Sequence, residues 1–278
     1  MSELTDAQFR LLCEYLYRET GMAFTEGKQY YVARRAAERM QATGSTSFAA
    51  YFAYLTSHAS AELEPFINAF TVNETYFYRE DYQLRCLTRD LLRRRVAAKP
   101  RNEAVRIWSL PCATGEEPYS IAIWLLENWD QVDDFNIEIV GSDIDTKVLE
   151  AARDGYYGKR ALMRLEPALI AKYFEPVDDE TWRVIEALRS SVLFAPVNAV
   201  ELSETRRHGR FDVIFCRNML IYFDEVSRRV AAENLFEALA PGGYLCLGHA
   251  ESMSRISGLF EICRYDDAIV YRRPSEGT

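Results

Sequence analysis

The stretch Val105–Glu127, VRIWSLPCATGEEPYSIAIWLLE, carries the reading of the fold. Val105, Ile107, Trp108 and Leu110 form an apolar run of strand length. Ala113-Thr114-Gly115 then supplies small residues where a backbone must approach a ligand closely. Pro118 suits a first helical turn, and Ile121, Ile123, Trp124, Leu125 and Leu126 continue as a helix buried on most of its surface. Strand, turn and helix in this order predict a nucleotide-binding α/β domain, whose ligands lie at the carboxyl ends of the strands.

Downstream, Ile137–Asp145 (IEIVGSDID) reads as a second apolar strand ending in acids. Asp143 sits at its tip, where a carboxylate can accept both hydroxyls of a ribose, and Asp145 is placed to cap the next helix. The alternation then breaks. Residues 172–198 read as short strands with turns near Pro176–Thr181 and Ser190, an antiparallel excursion whose last strand enters the main sheet. Phe211–Phe223 (FDVIFCRNMLIYF) is the most hydrophobic strand, with Arg217 and Asn218 at its carboxyl end. Pro241-Gly242-Gly243 turns into a strand over Tyr244–Gly248, and Phe260–Cys263 with Ala268–Arg272 suggest a terminal hairpin.

Upstream, the first seventy or so residues read as a small helical bundle. Thr5 and Gln8 have capping-box spacing, Phe9, Leu12, Cys13 and Leu16 share a face, and Gly21 is placed to end the helix. In a second helix over 27–40, Lys28, Arg35 and Arg39 fall on one narrow stripe at 100° per residue. Such a stripe is either a solvated face or a docking surface. Phe48, Tyr51, Phe52 and Leu55, then Leu63, Phe66, Ile67 and Phe70, complete the bundle. Thr71–Glu80 (TVNETYFYRE) interrupts the period and reads as a linker that folds over the crevice mouth, with Asn73, Thr75 and Arg79 as hydrogen-bonding groups. A helix over Tyr82–Ala98 follows. The domains expected are therefore a helical unit over 1–75 and an α/β unit over 76–278, the latter with a small antiparallel subdomain over about 172–195.

Composition narrows the function. With 42 acidic against 33 basic residues among 278, the net charge is −9, which gives no general attraction for nucleic acid or an anionic membrane. Cysteines 13, 86, 112, 216, 246 and 263 lack the spacing of zinc or redox motifs and are expected as reduced thiols. Neither a targeting segment nor a spanning apolar run is evident, so a soluble cytoplasmic protein without membrane insertion is expected. His58, His208 and His249 are isolated and show no metal-ligand spacing, and no metal is expected; His249 follows a strand that should point toward the site.

A dinucleotide enzyme would carry G-x-G-x-x-G at the first turn, but here Gly115 is followed by Glu116 and Glu117. Two carboxylates repel a pyrophosphate and suit a cationic ligand such as the amino group or sulfonium of S-adenosylmethionine. TVNETYFYRE, TGEEPYSIA, GSDIDTKVLEAAR, FDVIFCRNMLIYFD and GGYLCLGHAES, collinear and preceded by a helical bundle, resemble the CheR-type chemotaxis receptor methyltransferases over almost the whole chain. The resemblance implies a Rossmann-like methyltransferase domain with an N-terminal helical bundle and a small antiparallel β-subdomain. It implies S-adenosylmethionine-dependent protein-glutamate O-methylation of the helical cytoplasmic region of chemoreceptors, with S-adenosylhomocysteine as product.

Carried over by motif, the implied cofactor contacts are Asn73, Thr75, Arg79, Glu117, Asp143 on the ribose, Asn198 and Ala199 near the adenine, and Arg217 with Asn218 closing the site. Arg79 and Tyr222 are the positions nearest the transferred methyl. In this setting Lys28, Arg35 and Arg39 become a docking face for acidic receptor helices, and the enzyme is expected to be a monomer. Two departures stand out. Pro111-Cys112 replaces small residues and stiffens the first turn. The turn around Pro176–Thr181 is shorter than in members that bind a receptor's carboxyl-terminal pentapeptide, which puts such tethering in doubt. Rival readings are a methyltransferase of another substrate, such as a nucleobase, disfavoured by the acidic balance and the missing N-P-P-[YF] signature, and a cofactor-sensing adaptor without catalysis.

Overall fold

The computed structural model describes residues 4–97 and 99–275. The chain begins with four helices, α1 (Asp6–Thr20), α2 (Gln29–Ala42), α3 (Phe48–Ser57) and α4 (Ala59–Phe70). Thr5 and Gln8 form the reciprocal capping box, and Gly21 ends α1 in the left-handed conformation at φ 74°. Leu12, Leu16, Tyr51, Leu55, Phe66 and Phe70 are buried in the bundle core. The second helix differs from its expected bounds. Glu26–Lys28 is a separate 3-10 turn, so Lys28 precedes α2 and its position does not follow from the helical 100° step.

Residues 71–76 form an irregular strap, followed by turns to Asp81. A helix then starts at Tyr82–Cys86, widens to π-helix over Leu87–Leu92 and returns to α over Arg93–Ala97. Its expected last residue, Ala98, lies outside the described residues.

The α/β unit is built on ten strands: β1 (Val105–Ser109), β2 (Ile137–Asp143), β3 (Tyr156–Gly158), β4 (Phe174–Pro176), β5 (Thr181–Val184), β6 (Val192–Pro196), β7 (Phe211–Cys216), β8 (Leu239–Leu247), β9 (Glu261–Arg264) and β10 (Ile269–Arg272). The main sheet runs β6-β2-β1-β7-β8-β10-β9. The first five of these are parallel, and β10 and β9 close the edge as an antiparallel hairpin. Parallel strands with both faces covered read as continuous apolar runs, and that is the pattern of Val105–Leu110 and Phe211–Cys216. Trp108, Val140, Ile214 and Leu245 face the helical bundle and the helix Glu225–Ala238. Ile107, Ile139, Val213 and Phe215 face the helices over 82–97 and Glu116–Asn128.

Two local readings change. The small sheet, ordered β3-β5-β4, recruits Tyr156–Gly158 from well before residue 172, whereas β6 enters the main sheet as expected, in parallel with β2. Three residues are too few to show a periodic pattern, so β3 has no sequence signal of its own. Strand β8 starts at Leu239 rather than after the Pro-Gly-Gly turn, with a register shift opposite Phe211–Val213. Gly243 allows that irregularity, because a Cβ there would lie 2.8 Å from the Ala240 carbonyl oxygen.

Sequential connections leave β1 for β2 on one side, whereas β7 lies on the other. The crevice above the carboxyl end of β1 is therefore the topological switch point at which open α/β sheets bind ligands.

Candidate active site

The first βα turn forms the floor of that crevice. Ala113 is held at φ 46° and donates its N–H to Asp143 Oδ2 at 2.9 Å, while Asp145 donates to Asp143 Oδ1 at 3.0 Å. Asp143 is buried, and burial pushes its carboxyl up to about 6 against the pull of those amides. Gly115 does a different job from the expected one. At φ 94° it caps the helix Glu116–Asn128, and a Cβ would stand 2.9 Å from Ala152 Cβ and 3.0 Å from the Tyr157 hydroxyl. Close packing against the neighbouring helix requires this glycine; Pro111, Cys112 and Ala113 line the cavity, and Gly115 does not.

The paired carboxylates also separate. Glu117 faces the cavity, accepting from Ser109 Oγ at 2.8 Å and from Arg217 Nη1 at 2.5 Å. Glu116 turns to the Thr114 hydroxyl at 2.6 Å, and burial raises its carboxyl to about 7. A single carboxylate therefore faces the cavity at this turn, and an arginine already pairs with it. The expectation of two acids meeting a cation is corrected accordingly.

Arg217 leaves the end of β7 into a buried network. Beyond Glu117, its Nη2 donates to the Arg79 carbonyl at 2.7 Å and lies 3.2 Å from Glu80 Oε2. Its Nε is buried without a partner. Such an orphaned donor is uncommon and fits a ligand group arriving in the cavity. Asn218 follows at φ 59°, and Tyr78 and Glu80, at φ 56° and 55°, flank Arg79. Together with Ala113, all four non-glycine residues with positive φ among the described residues lie at or beside this crevice, a concentration of backbone strain found at functional sites.

The strap 71–80 closes one side. Asn73 Nδ2 donates to Asp145 Oδ2 at 2.9 Å and Thr71 Oγ1 donates to the same oxygen at 2.5 Å, which ties the strap to the helix cap after β2. Arg79 Nη1 donates to the Glu74 carbonyl at 2.7 Å, and its guanidinium lies over the Tyr76 ring. Tyr222, in the 3-10 turn Leu220–Tyr222, lines the same cavity; burial raises its hydroxyl pKa, with the Arg79 charge opposing.

Asn73, Thr75, Arg79, Glu117, Asp143, Asn198, Ala199, Arg217, Asn218 and Tyr222 all line one cavity enclosing about 1090 Å³, its open mouth included. Asn198 is turned partly away, since its Nδ2 donates to the Glu19 carbonyl of α1 at 2.9 Å. The residues of the basic stripe do not stay together. Arg39 makes a bidentate pair with buried Glu62, at 2.9 and 2.7 Å, and Glu62 also accepts from Tyr51. Arg35 binds Glu38 and stacks near Tyr31, and Lys28 is exposed.

Some participants carried no signal of their own in the sequence. Thr20 and Met22, at the end of α1, line the cavity although they belong to the helical bundle. Glu80 bridges Arg217, Tyr82 and Gln83. In GHAES the residue turned inward is Glu251; the His249 side chain is 76% exposed and reaches only Glu80, at 3.4 Å. Among the described residues no His, Cys, Asp or Glu group forms a metal-binding cluster, and all six cysteines are free. No helix among them is long and apolar enough to cross a membrane.

Comparison with known proteins agrees with this architecture. The family profile described as CheR methyltransferase, all-alpha domain, matches residues 7–71, and that described as CheR methyltransferase, SAM binding domain, matches residues 73–269. Chemotaxis protein methyltransferase 2 of Vibrio cholerae is 45% identical, over 99% of this chain and 95% of its own. The chemotaxis protein methyltransferase of Salmonella typhimurium is 35% identical, over 93% and 88%. Among solved structures, the N-methyltransferase NodS of Bradyrhizobium japonicum aligns with 72% of this chain and 100% of its own, at 14% identity and a TM-score of 0.39. With both of its domains matched along their length, the chain belongs to the CheR methyltransferase family, and S-adenosylmethionine is its cofactor.

Proposed function

We propose that this protein methylates glutamate side chains on the helical cytoplasmic region of chemoreceptors, as a monomer in the cytoplasm. The observation that carries the reading is the convergence of Arg79 and Tyr222 with Asp143 and the Glu117–Arg217 pair on one cavity at the switch point of the sheet. A helical unit over 1–75 and a methyltransferase unit over 76–278 divide the work. The first supplies one wall of the cavity and carries Lys28 and Arg35, and the second holds the cofactor.

The orphaned Arg217 Nε and the acceptor capacity left on buried Asp143 are the features that suit the cofactor. Asp143 would take the ribose hydroxyls, Glu117, Asn73, Thr75 and Arg217 the amino-acid end, and Asn198 with Ala199 the adenine. When bound, the cofactor supplies a methyl on a sulfonium, a carbon already activated for displacement.

The residues of the chain then have little acid–base chemistry to do. A glutamate carboxylate, with an ordinary pKa of about 4.3, is ionised at neutral pH and needs no general base. Arg79 holds one carboxylate oxygen of the substrate and leaves the other free to attack. Tyr222 positions the reacting groups from the 3-10 turn after β7. Rate enhancement comes from proximity and orientation, where a misplacement of about 1 Å can cost on the order of a hundredfold.

Receptor recognition is assigned to Lys28 and Arg35, beside the acidic face of a receptor helix. A pentapeptide tether stays in doubt on this reading: the β4–β5 turn is short, with the Val177 N–H donating to the Thr181 carbonyl at 2.9 Å. The deciding experiment incubates the protein with radiolabelled S-adenosylmethionine and membranes containing a chemoreceptor. Base-labile label on the receptor is the expected result; label resistant to base, or on nucleic acid, sinks the reading.

A further inference from the structure

The segment that leaves β7 carries Arg217, Asn218, Met219, Tyr222 and Phe223 into the cavity, yet its backbone is irregular. Asn218 is left-handed, and a single 3-10 turn follows over Leu220–Tyr222. Such a segment has few hydrogen bonds of its own, so its amides need other acceptors. They find one side chain. Glu251 Oε2 accepts from Asn218 N–H at 2.7 Å and from Gly248 N–H at 3.0 Å, and Oε1 accepts from Leu220 N–H at 2.7 Å. The Glu251 N–H in turn donates to the Gly248 carbonyl at 2.9 Å, closing the turn after β8, and the Glu251 side chain ties that turn to the one after β7.

The fit is close enough to dictate its neighbours. A Cβ on Gly248 would stand 2.9 Å from Glu251 Oε2 and 2.9 Å from Asn218 Nδ2. The carboxylate is mostly enclosed, and burial outweighs the amides in raising its pKa. A neutral isostere cannot replace it. Glutamine has one acceptor oxygen, so one of its ends would oppose a backbone N–H, and at least one of the three amides would lose its partner.

We propose that Glu251 is a positioning residue: it acts through the backbone of 218–222 to fix Tyr222 against the reacting groups, without touching substrate or cofactor itself. Arg217 is held independently by Glu117, Glu80 and the Arg79 carbonyl. The far end of the segment keeps the bonds from Ala23 N–H to the Tyr222 carbonyl at 2.9 Å and from Arg228 Nε to the Leu220 carbonyl at 2.8 Å. Loss of the Glu251 latch therefore frees the Asn218 and Leu220 amides between two held ends and lets the turn that carries Tyr222 shift.

The catalytic part of this inference rests on the receptor-methylation reading; the conformational part does not. Hydrogen exchange on the full chain without ligand comes first. Glu251→Gln should speed amide exchange at 218–223 while the strands of the sheet stay protected. In receptor methylation the same variant should lose roughly 2- to 10-fold in kcat, about as much as Tyr222→Phe loses, with S-adenosylhomocysteine still binding one per chain by calorimetry and its affinity within about threefold. A structural defect alone would lower that stoichiometry together with the rate.

Adding Tyr222→Phe to Glu251→Gln should cost nothing further, because two residues acting through one geometry do not add. Should Glu251→Gln fold poorly, Gly248→Ala displaces the same carboxylate and should give a milder form of the same exchange and kcat pattern. Unchanged exchange at 218–223, an unchanged kcat, or fully additive losses in the double variant would each overturn the proposal. If wild-type protein labels no receptor, the functional reading fails while the exchange result still judges the latch.

Discussion

Adjacent in sequence, Glu116 and Glu117 occupy different surroundings, and their chemistry separates accordingly. Glu117 has an arginine; Glu116 has the Thr114 hydroxyl and its own backbone N–H but no cation, and is raised to about 7 by burial. The folded protein thus binds the Glu116 proton more tightly than the unfolded chain does between pH 4.5 and 7, so stability falls as pH rises across that window. Glu116→Gln keeps an acceptor for Thr114 and removes the cost of ionisation, about 3 kcal/mol from the shift of 4.5 to about 7. It should raise the melting temperature by several degrees at pH 8 and leave it almost unchanged at pH 4.5, measured by scanning calorimetry on both proteins. A gain of equal size at both pH values would show that ionisation is not the cause. Asp143 gives the functional counterpart. Burial raises its carboxyl to about 6, so in the proposed role protonation would remove an acceptor for the ribose as pH falls below that value. Cofactor affinity should be flat above about pH 7 and weaken below pH 6. Asp143→Ala should weaken it at least tenfold through loss of charge-assisted hydrogen bonds worth about 1.5–3 kcal/mol each, with calorimetric titration as the check.

At the level of elements, the site is assembled by the ends of strands and the strap, and these differ in how far the sequence announces them. Strands β1, β2 and β7 are long apolar runs, and the acids and arginine at their tips were readable as tip residues. The π-helical widening at Leu87–Leu92, strand β3 and the inward turn of Glu251 were not, because each depends on contacts made far along the chain. The stripe on α2 shows the same limit. Periodicity placed Arg35 and Arg39 on a face but could not see Glu62, 23 positions away, waiting for Arg39. Arg39→Ala should cost about 3–5 kcal/mol by leaving a buried carboxylate unpaired, a loss visible in urea unfolding. Lys28→Glu with Arg35→Glu should instead leave cofactor binding intact and raise the Michaelis constant for receptor at low salt, an effect that shrinks as salt screens it. Equal receptor kinetics at low salt would make the face merely solvated. For the catalytic elements, Tyr222→Phe removes one neutral hydrogen bond, about 0.5–1.5 kcal/mol, and should slow turnover only several-fold. Arg79→Ala should cost at least about a hundredfold through lost charge and positioning. With no base to titrate, kcat at saturating cofactor should stay flat from about pH 6.5 to 8.5; a log-linear rise across that range would require a base and contradict the mechanism.

On the scale of the whole molecule, the helical bundle forms part of the cavity wall and is not an appendage to it. Thr20 and Met22 line the cavity, Ala23 N–H donates to the Tyr222 carbonyl at 2.9 Å, and Met22 pairs with Phe223 in an isolated antiparallel bridge. Asn198 Nδ2 reaches the Glu19 carbonyl, and the Tyr17 hydroxyl reaches Asp224 Oδ2 at 3.1 Å. The end of α1 is thus stitched to both the turn after β6 and the turn after β7. Gly21 makes that approach possible. It is left-handed at φ 74°, and a Cβ would meet Val200 Cγ1 at 2.8 Å and Ser227 Oγ at 3.2 Å. Gly21→Ala imposes two penalties: about 1–2 kcal/mol for a non-glycine residue in the left-handed region, and a collision with the Val200 and Ser227 side chains that pushes α1 away from them. The helix would carry Thr20, Met22 and the Ala23 contact with it. The expected outcome is a lower melting temperature together with weaker S-adenosylhomocysteine binding and slower receptor methylation, because the same displacement opens the cavity wall and releases the Tyr222 turn. Gly44→Ala is the control: it shares the left-handed backbone at φ 68° but has nothing within 4 Å of its Cβ. It should lower the melting temperature through backbone strain alone and leave affinity and rate unchanged. Equal losses of affinity in the two variants would mean that stability, not the placement of α1 against the turn after β7, governs the site.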